Sequence, residues 1–299
     1  MRNLFFGSIS VSVGLLILGC TSLAEPELNH VAPRPLNDHE WIVIPAGTFI
    51  MGGSAPNSEN SFQEPEHELS IESFSISKHE TTNAQYKQFL DEGNSQHRPG
   101  YGLDEYSCQV WDADGNFDKR FANYPVACIT WDDAVAYTRW LSAKTGQQIS
   151  LPSEPQWEKA ARGEGGNFYP WGNKFDWSRL NGCDSSCDPD AADHNGYSDT
   201  FEKSAPVGSF PTGASPYGVE DMVGNVSEWT LSLKMPYPYS NGDEREAIGE
   251  NGEITVRILR GGGYDIQSGH LYQSASRNAA TTNHWHASLG FRVVLLDGE

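Results

Sequence analysis

Two carboxylates, Asp221 and Glu228, stand seven residues apart in the run Asp221-Met222-Val223-Gly224-Asn225-Val226-Ser227-Glu228, and Gly224 between them admits a tight turn. Calcium takes about six to eight oxygens from carboxylates, amides and backbone carbonyls, so this run has the chemistry of a cation loop. The competing reading makes both acids buried hydrogen-bond acceptors. A second acid-rich run, residues 188–199 (DPDAADHNGYSD), carries enough oxygens for calcium but lacks the EF-hand spacing. His284-x-His286 places two imidazoles on one face of an extended segment, and His270 from a neighbouring strand would complete a three-histidine site. Surface or ligand-facing histidines are the alternative. No serine elbow with a paired base stands out for nucleophilic hydrolysis.

The cysteines are Cys20, Cys108, Cys128, Cys183 and Cys187. Setting Cys20 aside, an even number remains, and proximity pairs Cys108 with Cys128 and Cys183 with Cys187 as disulfides of an oxidising compartment. Zinc at Cys183-x3-Cys187 lacks a second Cys or His pair at suitable spacing. Export agrees with the start of the chain. An apolar run, Val11–Leu18, follows Arg2 and ends Gly19-Cys20-Thr21-Ser22, a pattern resembling a bacterial lipobox. The expected organisation is a lipoprotein signal peptide over 1–19, a polar tether over 20–39 lipidated at Cys20, and one domain over 40–299. Thr21, rather than Asp, after Cys20 directs the expectation to the outer membrane of the bacterial cell envelope, facing periplasm or cell surface, with membrane contact through the lipid anchor only.

The elements that must position these residues are short. The chain has 299 residues with 30 Gly, 17 Pro and 9 Trp, and a net charge of -20, which argues against nucleic acid and against anionic membrane surfaces. Three helices are announced by capping boxes: Thr82-x-x-Gln85, Thr130-x-x-Asp133 and Ser153-x-x-Gln156, with Gly146 and Gly163 at C-terminal stops. Strands are expected within 41–49, across 69–76, in 218–231, in 255–260 and across 290–296. Residues 163–218 are mostly loop. The sum is a mixed α+β, loop-rich architecture in which Trp131, Trp157, Trp171 and Trp229 serve as core anchors.

Eight ordered motifs then become readable. They are Ile44-Pro45-Ala46-Gly47-Thr48-Phe49-x-Met51-Gly52, Glu80-Thr81-Thr82-Asn83-Ala84-Gln85-Tyr86, and Pro125-Val126-x-x-Ile129-x-Trp131. Leu151-Pro152-Ser153-Glu154-x-x-Trp157-Glu158-x-Ala160-Ala161-Arg162-Gly163 and Pro170-Trp171-Gly172 follow. Tyr217-Gly218-x-x-Asp221-Met222-x-Gly224-Asn225-Val226-x-Glu228-Trp229, Arg260-Gly261-Gly262-Gly263 and Leu289-Gly290-Phe291-Arg292 complete the series. Together they resemble the formylglycine-generating enzyme (sulfatase-modifying factor) family over roughly 41–296. The resemblance implies a C-type-lectin-like fold with calcium as a structural ion. Carried over position by position, one calcium would be held by Asp221, the carbonyls of Gly224 and Val226, and Glu228. A second would be held by Asn181, the carbonyl of Gly182, Asp199 and the carbonyl of Phe201.

The oxidising members of that family hold copper on two cysteines five residues apart, between the glycine turn and the Gly-Phe-Arg motif. Here Tyr264–Ser288 contains no Cys; Gly269 and Ser274, or their near neighbours, occupy those positions, and Ser227 replaces a tryptophan. A hydroxyl does not replace a soft thiolate for Cu(I), so no copper is expected. Three functions remain. The first is a binding lipoprotein whose surface, Tyr264, Asp265, His270, Tyr272, Arg277, Asn278, His284, Trp285 and His286, holds a protein, glycan or small-molecule ligand. The second is a divergent periplasmic oxidoreductase or maturation enzyme, resembling the cysteine-free branch that matures siderophores. The third is a structural subunit of an envelope or motility machine.

Overall fold

The computed structural model describes residues 39–53, 65–100, 108, 110–112, 114–188, 196–249 and 253–296. Cys20, the leader and nearly all of the tether lie outside the described residues, as does most of the acid-rich run of 188–199. Among the described residues no helix is long and apolar enough to cross a membrane.

All three capping boxes form. Thr82 caps α1 (Asn83–Asp91), Thr130 caps α2 (Trp131–Thr145) and Ser153 caps α3 (Glu154–Arg162), each with the reciprocal bond from the residue three positions on. Gly146 closes α2 in the left-handed conformation at φ 70°. These signals are local, set between residues three positions apart.

The strands build three sheets. β1 (Trp41–Ile44), β4 (Phe74–Ser77), β10 (Val294–Leu296) and β5 (Ile149–Ser150) form one sheet in the order β1-β4-β10-β5. β2 (Gly47–Met51) and β3 (His67–Ile71) form a hairpin-like pair. β8 (Asn278–Thr281), β7 (Val256–Arg260), β6 (Ser227–Leu233) and β9 (Leu289–Gly290) form the third sheet in the order β8-β7-β6-β9. The single half-buried strand expected across 69–76 is two strands in two sheets. β3 alternates in burial, whereas β4, flanked by β1 and β10, is buried at every position. The strand expected across 218–231 starts only at Ser227. Before it, Gly218, Asp221, Gly224 and Asn225 all have positive φ, which no strand tolerates.

The core is aromatic. Tyr86, Phe89, Tyr137, Trp229 and Phe291 cluster between α1, α2 and the third sheet, and Phe74, Ile76, Trp157, Tyr272 and Val294 cluster behind α3. Trp131, Trp157 and Trp229 are buried as expected, but Trp171 is only partly buried. Loops leave many carbonyls outside any ladder, and buried arginines bond to them. Arg292 donates to the carbonyls of Ser77, Lys78, Glu220 and Asp221. Arg260 donates to those of Ser274, Ala275 and Ser276 and pairs with Glu158. Burial works against the ionised Glu158, yet Arg260 and Arg162 outweigh it and hold its carboxyl below the ordinary range.

Candidate functional site

The site is a cavity of about 320 Å³ walled by Asn83, Trp111, Phe121, Tyr124, Tyr264 and the Cys108–Cys128 disulfide, with Arg120 and Lys203 at its edge. Its architecture starts from the capping box. Thr82 forms an antiparallel bridge to Pro125, which brings the loop before α2 against the start of α1. Asn83, the first residue of α1, then joins two walls: its Oδ1 accepts from Trp111 Nε1 at 3.1 Å and its Nδ2 donates to the Phe121 carbonyl at 3.0 Å. Cys128 sits at φ 61°, and its amide donates to the carbonyl of His286 at 3.0 Å. The disulfide therefore ties Cys108 to the strand-end segment that carries His286. Both expected disulfides form, with Cα separations of 5.9 Å for Cys108–Cys128 and 5.0 Å for Cys183–Cys187.

Tyr264 is buried, anchored by its amide to the Asn225 carbonyl at 2.9 Å, and burial followed by the charge of Asp265 pushes its phenol up to about 12. Burial also raises the Tyr124 phenol. Both are therefore protonated donors at neutral pH. Arg120 lies over the Phe121 ring at 5.1 Å and pairs with Asp118. The cavity thus offers aromatic faces, phenolic and amide donors and positive charge, and among the described residues its lining holds no carboxylate, imidazole or thiol.

The structure divides the nine surface residues expected from sequence. Tyr264 lines the cavity, and Asp265 and His286 stand 3.7 Å apart close by, both exposed. His286 Nδ1 lies 2.9 Å from Ser288 Oγ. His270 bonds to Ser268, His284 is exposed, Trp285 is partly buried and Asn278 begins the edge strand β8 with its side chain exposed. Burial and His286 lower the His284 pKa. Among the described residues no group of three His, Cys, Asp or Glu side chains gathers as a metal site, so the three-histidine arrangement is not formed. Two residues are corrected. Tyr272 is fully buried, its hydroxyl donating to the carbonyls of Gly263 and Ile266. Arg277 is buried and grips Glu154 with Nε and Nη2 at 2.6 and 2.9 Å. A buried Glu154 needs that guanidinium more than any ligand does.

The two calcium segments differ. Glu228 is fully buried and its oxygens accept from Arg292 Nε, Arg292 Nη2 and Trp157 Nε1 at 2.7, 2.8 and 2.8 Å. A guanidinium already serves this carboxylate. Asp221 accepts from the Gly208 amide at 2.6 Å, and burial raises its carboxyl to about 6. Sequence reasoning missed Glu80, which joins this group. Its Oε1 accepts from Asn225 Nδ2, its Oε2 has no partner, and burial followed by Asp221 drives its carboxyl well up. At the second segment Asn181 Oδ1 and Asp199 Oδ2 are both buried without a partner, and burial with the neighbouring Asp184 raises Asp199 to about 7. Two orphaned acceptor oxygens are what a hard cation would satisfy, so the residues of the second segment fit calcium better than those of the first.

Against known proteins, the Sulfatase-modifying factor enzyme 1-like domain matches residues 27–296. The chain belongs to the sulfatase-modifying factor family. It is similar to hercynine oxygenase of Mycolicibacterium smegmatis, at 31% identity over 81% of this chain, and spans 58% of that protein's length. It is similar to the formylglycine-generating enzyme of Mus musculus at 26% identity, covering 88% of this chain and 76% of the relative. It is also similar to the inactive C-alpha-formylglycine-generating enzyme 2 of Mus musculus at 27% identity, covering 98% and 97%. Among solved structures, PvdO from Pseudomonas aeruginosa superposes with a TM-score of 0.67 at 24% identity, covering 86% of this chain and 94% of that one, a likeness of fold. The expected α+β fold of the sulfatase-modifying factor type is the one observed. Trp111, Tyr124, Asn83 and Lys203 were not foreseen as site residues. Of these only Asn83 lies in one of the eight motifs, Glu80–Tyr86, and nothing in it or in Pro125–Trp131 showed that the two would bridge.

Proposed function

We propose that this sulfatase-modifying factor domain is a binding module of a bacterial cell-envelope lipoprotein, anchored through Cys20 at the outer membrane, and that it works without the thiol–copper route. The observation that supports this reading is the described lining of the 320 Å³ cavity: aromatic faces, protonated phenols and two cations, with no carboxylate, imidazole or thiol among the described residues. The ligand class that fits is a small molecule with an aromatic or apolar body and a carboxylate, the body against Trp111 and Phe121 and the carboxylate toward Lys203. Calcium, held by Asn181, Asp199 and the carbonyls of Gly182 and Phe201, supports the loop framing the site as a structural ion.

The test is fluorescence titration of the full chain in detergent with aryl carboxylates such as indole-3-acetate. Saturable binding that is lost in Trp111→Ala at an unchanged melting temperature supports the module. Conversion of a sulfatase-type Cys peptide to an aldehyde in the presence of copper would overturn it. The 31% identity with hercynine oxygenase favours a second reading, a divergent oxidoreductase; oxygen uptake dependent on a substrate would establish it.

A further inference from the structure

A separate cleft of about 570 Å³ opens on the loop that follows α3, lined by Trp171, Phe175, Trp177 and Tyr197 with Asp176 and Arg179 among them. Four aromatic residues fall within nine positions of sequence, Tyr169–Trp177. The backbone fixes the first of them: Tyr169 and Gly172 exchange two amide hydrogen bonds at 2.8 and 3.0 Å, so Trp171 stands within a tight turn. Trp171 Nε1 donates to the Lys174 carbonyl, which locks the indole against the loop. Its ring lies parallel to that of the buried Tyr169 at 5.5 Å, and Phe175 meets Trp177 edge-on at 4.9 Å. Behind these, Tyr272 holds Phe175 and Trp177 at 6.3 and 6.2 Å. The partly exposed rings are thus braced by fully or nearly buried ones.

The polar side of the cleft is tied to the same loop, although its groups are half-exposed. Asp176 accepts from the amide and hydroxyl of Ser178 and from Arg179 Nε at 3.2 Å, and Arg179 also donates to the Thr212 carbonyl. Rigid aromatic faces beside a carboxylate–guanidinium pair match one ligand chemistry. A pyranose ring has an apolar C–H face that lies on an aromatic ring and a rim of hydroxyls that both donate and accept. A purely apolar ligand would desolvate Asp176 and Arg179 without replacing their water. A polyanion would find Lys174 and Arg179 in the lining, but beyond the one excess positive charge they leave over Asp176 it would meet a chain of net charge -20. From this geometry we propose that the Trp171–Arg179 cleft is a binding site for a neutral oligosaccharide, independent of the Tyr264 cavity.

The experiment uses the full chain in detergent, with maltohexaose and N-acetylchitohexaose as probes and saturation-transfer NMR as readout. At least one hexasaccharide is expected to bind saturably, with a dissociation constant near about 1 mM. Trp171→Ala and Arg179→Ala should each weaken it about tenfold, and Trp111→Ala, in the other cavity, should leave it unchanged. Melting temperatures measured alongside keep the result interpretable, and Arg179→Lys, which retains charge but loses the fork, serves if Trp171→Ala fails to fold. No binding of either probe, or binding that Trp171→Ala and Arg179→Ala leave intact, overturns the proposal. So does loss of binding in Trp111→Ala alone, since it moves the sugar to the other cavity.

Discussion

Arg277 shows how far burial changes the meaning of a residue. The sequence places it among adaptable polar and aromatic neighbours and makes it a ligand contact; the structure places it across from Glu154, which is fully buried. Truncation to alanine leaves that carboxylate without its closest partner. Removing one member of a buried pair costs about 3–5 kcal/mol. Arg260 remains 3.7 Å from Glu154 Oε1, so the lower end, about 3 kcal/mol, applies. The guanidinium also lies 4.0 Å over the Tyr237 ring, and losing that contact adds about 1 kcal/mol. For a domain of this size each kcal/mol lowers the melting temperature by about 2–4 °C, so Arg277→Ala should melt about 8–16 °C lower. Arg277→Lys should fall between, since it keeps the charge and loses the two-pronged geometry. Scanning fluorimetry with a ligand titration on the same samples decides the matter. A drop below about 3 °C together with lost ligand binding would refute the packing argument and return Arg277 to the binding surface.

The remaining expectations concern the cross-links, the ion and the anchor. Replacing both Cys108 and Cys128 by serine should destabilise the domain by about 3 kcal/mol, for a bond closing a separation of 20 residues, and weaken ligand binding in the Tyr264 cavity; chemical denaturation reads the first and titration the second. Thiol titration of unreduced, denatured protein should find no free sulfhydryl among Cys108, Cys128, Cys183 and Cys187. Chelation should lower the melting temperature of the wild type and leave Asp199→Asn unmoved, because a ligand of the native state alone stabilises it by mass action; identical melting curves with and without calcium would remove the ion from the second segment. Cys20→Ser should release the protein from membranes in fractionation, and a variant that stays bound would remove the lipid anchor.

What the sequence made legible was local. The capping boxes of α1, α2 and α3, the glycine stop of α2 and the Cys183–Cys187 pair are decided within a few residues, and each is found where the spacing places it; Cys108–Cys128, 20 residues apart, follows from pairing by proximity. What it hid was set by tertiary contact. Asp221, Asn225 and Cys128 adopt positive φ, which a glycine announces strongly, Asn and Asp only weakly, and Cys not at all. Arg277 reads as a ligand contact on the surface, and Arg260 and Arg292 enter only as motif positions, because isolated guanidinium groups are costly to bury. In this fold they cross-link loop carbonyls and carboxylates that have no ladder to join. The cavity itself depends on the bridge of Thr82 to Pro125, a contact across more than forty residues with no pattern to betray it.

The missing thiols and the aromatic cleft belong to one packing unit. Gly269, or a residue one or two positions away, is one of the two places that the family resemblance sets opposite the copper-binding cysteines. A Cβ on Gly269 would stand 2.6 Å from Phe175 Cε1, so the Phe175 ring occupies the space that any side chain at 269 requires. That ring in turn meets Tyr272, Trp177 and Tyr169, the contacts that brace the cleft. Ser274, the other position, is fully buried; its amide donates to the Phe168 carbonyl and its own carbonyl accepts from Arg260. A thiol restored at 269 would have to displace Phe175 and with it the cleft, and a thiol at 274 would lie sealed beneath the surface. A single substitution at either position therefore cannot rebuild an accessible pair of thiolates. The ring of Phe175 that fills the space beside Gly269 also belongs to the aromatic face of the loop after α3.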